Sequence, residues 1–248
     1  MKISKASLIT KLKATAVHLS LSLVIFVYLA YQIIYVWYPE PYFSFDGGLE
    51  GIRLVAAVDL VLGPLITFLI FDLGKSRRAI IFDLVIIITI QFVALAYGVQ
   101  ATYSQRPIAI VLIDDFLFST IEENYRGKLA STDNLKQFSD EHPPIIFSDL
   151  PMNREGLAEV NRIKLEEKVL EHAQLQLYRG RSELKEALRK RQVQFVGKLE
   201  RNEQRDRFDI WLELNQRSAE EVLIAQFSGR FGNVWLVFDS EGNYLSNF

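Results

Sequence analysis

Few side chains in this sequence have the types and spacing that chemistry requires. The histidines are His18, His142 and His172, and there is no cysteine. No pair of histidines has metal-ligand spacing, and the absence of cysteine excludes disulfides and thiolate metal sites. Glu141 with His142 and Glu171 with His172 place a carboxylate beside an imidazole, as acid–base work would require, but both read as exposed polar pairs. Asp114 and Asp115 are an acidic pair that suits a cation, and the plainer reading is a solvated turn. The stretch "GRFG" at 229–232 lacks the Lys-Ser/Thr of a phosphate loop and reads as a turn between strands. No nucleophile elbow of the type GxSxG is present. These residues predict no catalytic set, no metal and no cofactor, so the chain is not expected to be an enzyme.

The more informative polar residues sit where they are costly. "AAVDLVLGPLITFLIFDLGKSRR", residues 56–78, holds Asp59, Gly63 and Pro64 inside an apolar run. A carboxylate near the middle of a membrane span costs about 2.5–3.5 kcal/mol on the insertion scale, so it should face other helices and not lipid. Gly63 permits close helix approach, and Pro64 loosens the hydrogen-bond ladder. Two readings stand. Asp59 is a structural residue bonded to a Ser, Thr or Gln of a neighbouring span, or Asp59, Gly63, Pro64, Arg53, Asp83 and His18 form a seam that receives a partner helix. An ion or proton path needs more polar positions than these spans supply. Asp83, Asp72, His18 and the 75–78 basic cluster lie at similar depth, which favours an interfacial ion pair for Asp83.

The elements that position these residues are three apolar runs, 17–37, 52–71 and 79–99, each close to the roughly 20 residues that cross a hydrocarbon core. The first is too long for a signal peptide and is followed by "YVWYPEPY", which offers no small-residue cleavage site. Tyr35, Trp37 and Tyr38 suit a membrane–water interface. Lys2, Lys5, Lys11 and Lys13 precede the first span, and Lys75, Arg77 and Arg78 separate the second from the third. By the positive-inside bias both segments are cytoplasmic. The expected organisation is a basic cytoplasmic stretch at 1–16, a three-helix transmembrane region at 17–100, and a periplasmic domain at 101–248. The net charge of −2 argues against a nucleic-acid partner held through phosphates.

Beyond residue 100 the pattern changes to that of a charged, water-soluble chain. A strand is expected over 108–113, followed by a turn at Asp114 and Asp115. Thr120 and Glu123 have capping-box spacing and predict a helix over 120–138. "DEHPPIIFSDLP" is loop-like. Helices are expected over 153–178 and 182–203, and Ser218 with Glu221 forms another capping box. "NVWLVFDSEGNYLSNF" predicts a strand at 234–239, a turn at 240–243 and a short last strand. The fold class is therefore a membrane α-helical bundle of three transmembrane helices followed by a small α+β extracytoplasmic domain.

Several of these stretches resemble a known family. "LKATAVHLSLSLVIF", "WYPEPYF", "AAVDLVLGPLITFLIF", "DLVIIITIQFVALAYGV" and "RPIAIVLIDDFLF" span most of 11–116, and "GRFGNVWLVFDSEGNYL" closes the chain. Together they resemble the TfpX/TfpZ family of type IV pilin accessory proteins. The resemblance does not cover 120–220. It implies a multi-pass protein of the bacterial inner membrane that aids pilin stability, assembly or surface presentation, and its nearest family mark is Ala57, Val58, Asp59, Leu62, Gly63 and Pro64. It implies the major pilin subunit as partner, with contact to other pilus-assembly proteins, and carries over no catalytic residues. The expected function is that of a pilin-binding chaperone or assembly factor. The alternative is a membrane enzyme modifying pilin, for example by glycosyl transfer.

Overall fold

The structure is a computed structural model that describes residues 5–71, 74–201 and 204–248. Lys2, Asp72 and residue 203, which entered the sequence reading, lie outside them. The chain divides into two compact units. One holds the chain up to Phe43 together with Gly47–Ser104, and the other holds Ser44–Asp46 together with Gln105–Phe248.

The first unit contains three helices long and apolar enough to cross a membrane, Ser7–Trp37, Gly48–Ile70 and Arg77–Ser104. They are called the first, second and third spans. Val24, Val27, Phe82, Val93 and Tyr97 are exposed on their outer faces. A water-soluble protein rarely exposes so continuous an apolar surface, whereas hydrocarbon solvates it. Inside, Leu29, Ile33, Tyr38 and Val55 form a buried cluster.

The second span is not a uniform helix. It runs as an α-helix over Gly48–Ala56, widens to a π-helix over Ala57–Leu62 and resumes as an α-helix over Gly63–Ile70. Pro64 gives a cause. Its ring clashes with the carbonyl four residues back and it brings no N–H, so the ladder cannot pass it with α spacing. The Gly63 N–H bonds the Val58 carbonyl, five residues back. The carboxylate of Asp59 sits in this widened turn, a setting that recurs at functional sites.

The second unit is a seven-stranded mixed sheet with helices, so the α+β class holds. The strands are β1 (Ala109–Ile113), β2 (Phe116–Thr120), β3 (Ile145–Ser148), β4 (Tyr178–Arg179), β5 (Val222–Gly229), β6 (Gly232–Asp239) and β7 (Tyr244–Asn247). Their order is β4-β3-β1-β2-β5-β6-β7. β1 pairs parallel with β3, and β2 pairs parallel with β5, while the remaining pairs are antiparallel. Every residue of β1 is buried, as expected of a strand covered on both faces. Ala109, Val111 and Ile146 pack with Tyr125, Leu135 and Ile163 on one face. The helix Arg181–Arg201 buries Leu184, Leu188, Phe195 and Leu199, a stripe at helical spacing. Its Gln192 side chain reaches into the sheet: the amide donates to the Ile224 carbonyl at 2.9 Å and accepts from the Ile224 N–H at 3.0 Å. It thereby completes the backbone pairing of β5 beyond the end of β2.

Two expected helices differ. Over 120–138 there are only two short 3-10 turns, Glu122–Tyr125 and Thr132–Gln137. Thr120 ends β2, and its hydroxyl meets the Tyr125 hydroxyl at 2.9 Å instead of capping a helix. Over 153–178 the helix stops early. Asn153 caps it through the Gly156 N–H at 2.6 Å, the regular part is Arg154–Arg162, a π turn follows over Ile163–Glu167, and Lys168 adopts a left-handed φ of 58°. A further helix, Arg205–Leu214, follows the long one and was not foreseen. The hairpin at the end of the chain forms as read. Asp239 accepts from the Glu241 and Asn243 N–H groups and the Asn243 amide. Burial would raise the Asp239 carboxyl, but these bonds outweigh it and hold the group below the ordinary carboxylate range.

Candidate functional site

Within the first unit an open groove of about 850 Å³ runs along the three spans. Thr10 to Ile25 of the first span form one wall, Leu84 to Leu95 of the third form the other, and Asp59 and Thr67 of the second, with Phe71 just past its end, lie at its floor. Most of the lining is apolar, and the polar groups form two linked layers.

The inner layer centres on Asp59, only 1% exposed. Its Oδ1 accepts from the Ser22 hydroxyl at 2.9 Å and from the Gln91 amide at 2.8 Å. The same amide nitrogen reaches the Val58 carbonyl at 3.3 Å, in the widened turn. Gly63 makes this possible, since a Cβ there would stand 2.5 Å from the Gln91 Oε1. The second oxygen of Asp59, Oδ2, is buried and has no hydrogen-bond partner among the described residues. The outer layer joins His18 Nδ1 to Thr67 Oγ1 at 2.6 Å. The Thr67 hydroxyl also lies 3.1 Å from the Gly63 carbonyl, so its one proton serves either that carbonyl or His18 Nδ1, according to the imidazole tautomer.

Of the residues singled out in the sequence, Asp59, Gly63, Pro64 and His18 thus lie together on the second span and the facing part of the first. Arg53 stands apart, with its exposed guanidinium 3.5 Å from Glu50. Asp83 also lies off the groove and pairs with Lys75 at 2.5 Å. Ser22, Thr67 and Gln91 complete the site and were not individually picked out. Their signal was polarity within apolar runs, but which of them meet depends on the register between spans.

The second unit refines one reading and corrects another. The turn at Asp114 and Asp115 forms with Asp114 exposed, but Asp115 is half-buried and engaged: it meets Gln194 at 2.5 Å and Lys198 at 3.1 Å, and Lys198 lies 4.3 Å over the Phe116 ring. His172 and Glu171 are half-buried and separately engaged. Glu171 pairs with Lys164 at 2.7 Å, and the His172 ring stacks on Phe118 at 5.7 Å, beside a 320 Å³ cavity that Arg230 also lines. A buried relay runs behind it. Tyr178 donates to the His172 carbonyl at 2.7 Å and meets the Tyr125 hydroxyl at 2.7 Å. Burial pushes both phenols above their ordinary range.

Burial also pushes the His172 imidazole below its ordinary value of 6.5, Glu171 opposes the shift and Lys164 adds to it. A depressed histidine contributes stability that is fully present above the unfolded value and is lost as pH falls toward the folded one. The full chain in detergent is therefore expected to melt at a lower temperature at pH 5.5 than at pH 7.5, and His172→Gln should flatten that difference. An unchanged difference in the variant would remove His172 as its source.

Fold and groove together define a three-span membrane protein with an appended α+β unit. The fimbrial assembly protein FimB family model matches residues 6–47. The fimbrial assembly protein of serogroups C1 and C2 of Dichelobacter nodosus is 37% identical over 99 residues, which cover 40% of this chain and 76% of that relative. The serogroup E1 and serogroup I fimbrial assembly proteins of the same organism are also 37% identical over 99 residues. The chain covers only 38% of the length of each of those two. No solved structure matches. The chain belongs to the fimbrial assembly protein family.

Proposed function

We propose that this protein is an accessory factor of type IV fimbrial assembly, of the TfpX/TfpZ kind, that holds the pilin subunit in the bacterial inner membrane before the subunit enters the fibre. The observation that carries this reading is the lipid-accessible groove with a polar floor in a member of a fimbrial assembly family. Its role is binding and not catalysis. In this reading residues 1–16 are cytoplasmic, 17–100 hold the spans and 101–248 are periplasmic, where the α+β unit meets the folded head of the subunit.

The test is a clean deletion of the gene with surface pili, total cellular pilin and pilin mass measured together. Loss of surface pili with unchanged pilin mass is expected, restored by the wild-type gene. Normal pili would overturn the assembly role, and a changed pilin mass would transfer it to a modifying enzyme.

A further inference from the structure

Asp59 is roughly midway along the second span, about 16 Å from either end at 1.5 Å rise per residue. At this depth no water satisfies a carboxylate oxygen, and an unmet polar group costs several kcal/mol. Ser22 gives its proton to Oδ1, and Gln91 gives one amide proton to Oδ1 and turns the other to the Val58 carbonyl, which leaves Oδ2 unmet. The groove over it extends from Thr10 to Ile25 on the first span, about 22 Å of helix. A helix of about 10 Å diameter and that length occupies roughly 1,700 Å³, so half-embedding one matches the groove volume to order of magnitude. Lipid tails would fill the apolar walls but bring no hydrogen-bonding group to the floor. A transmembrane helix brings both, because its own backbone is already satisfied and its side chains can include a hydroxyl or amide.

We infer that the groove between the first and third spans seats one apolar helix of the pilin subunit, and that on seating the Asp59 carboxylate turns its buried, unpartnered Oδ2 toward the groove to accept from a hydroxyl or amide side chain in the middle of that helix. This rests on the function proposed above and adds the site and the chemistry of recognition. Asp59 is then a specificity residue: a helix with only aliphatic side chains at that depth leaves the oxygen unmet. Interhelical bonds of this kind supply discrimination more than bulk affinity, because packing supplies most of the contact.

The chain has no cysteine, so single cysteines report cleanly. Cysteines placed at Leu21 or Ile88 in the groove, and at Val24 or Val93 outside it, would be cross-linked in cell membranes to pilin carrying one cysteine walked along its apolar helix. Cross-linking at the two groove positions is expected to exceed that at the outer positions by about tenfold or more. Asp59→Leu should reduce the groove signal severalfold at unchanged protein level, and Asp59→Asn should keep most of it. Because Asp59→Leu also strips Ser22 and Gln91 of their acceptor, Ile88→Trp provides a second variant that fills the groove and leaves the Asp59 bonds in place, and it should block cross-linking equally. Equal cross-linking inside and outside the groove, undiminished cross-linking in both variants, or cross-links between two copies of this chain in place of pilin would overturn the inference. Failure of the broader reading looks different: pili would assemble normally in the deletion strain. Pili lost in the deletion with no groove-specific cross-link would sink the groove alone.

Discussion

Arg230→Met is expected to destabilise the second unit by about 3 kcal/mol, the lower end of the range for removing one partner from a buried ion pair. The lower end applies because the Arg230 side chain is 33% exposed while its partner Asp46 is fully buried. The guanidinium Nε donates to Asp46 Oδ1 at 3.1 Å, and Nη2 donates to the Asp46 carbonyl and to the Gln105 carbonyl. Nη1 donates to the Gln105 side chain at 2.9 Å. Without the side chain, Asp46 loses these charge-assisted bonds and retains the Arg230 backbone N–H at 3.1 Å, for a carboxylate that has no access to water. Arg230→Lys should recover only part of the loss, since an ammonium cannot reproduce the fork. Asp46→Asn combined with Arg230→Met should be less harmful than Arg230→Met alone, because it removes the stranded charge. Thermal unfolding and limited proteolysis of the full chain in detergent would read the series. A melting temperature for Arg230→Met equal to that of the wild type would refute this account. The same strand end explains Gly229: a Cβ there would collide with the Phe45 backbone carbonyl, which already accepts from the Phe231 N–H at 3.0 Å.

This ion pair shows where sequence reading stops. Asp46 and Arg230 are 184 residues apart, and no local pattern announces their meeting. The spans were legible because lipid enforces a simple rule, long apolar runs with internally satisfied backbones. The last hairpin was legible because Asp239, Gly242 and Asn243 satisfy their own turn. The capping spacing of Thr120 and Glu123 is equally local but was overruled, because Thr120 gains more inside the sheet, hydrogen-bonded to Tyr125 and to the Ala109 carbonyl. Asp59 falls between these cases. Its burial against other helices followed from the cost of a charge in lipid, whereas Ser22 and Gln91 as its partners required the register of three helices. The orphaned Oδ2 had no sequence signature at all.

Gly51→Leu is expected to be the most damaging single change in the spans. A Cβ at Gly51 would overlap the Thr102 methyl on the third span. Thr102 has little room to retreat, since its hydroxyl donates to the Gly98 carbonyl at 2.9 Å and its own carbonyl accepts from the Tyr38 hydroxyl at 2.9 Å. The bulk must therefore push the second and third spans apart. Overpacking of this kind costs about 1–3 kcal/mol in a well-packed core. Between helices in lipid the separation gains nothing in return, because the tails that enter are as apolar as the side chains that leave. The expected result is a lower melting temperature in detergent and fewer surface pili, with Gly51→Ala intermediate and Val24→Leu, on the lipid-facing side, indistinguishable from wild type. Gly63→Leu should be milder for stability, since the atom it meets is the end of a flexible Gln91 side chain, yet it should cost as many pili by displacing that amide from Asp59. A Gly51→Leu protein as stable as wild type would mean that the second and third spans are not held by this contact. A Gly63→Leu strain with normal pili would mean that the Gln91 bond to Asp59 is dispensable for assembly.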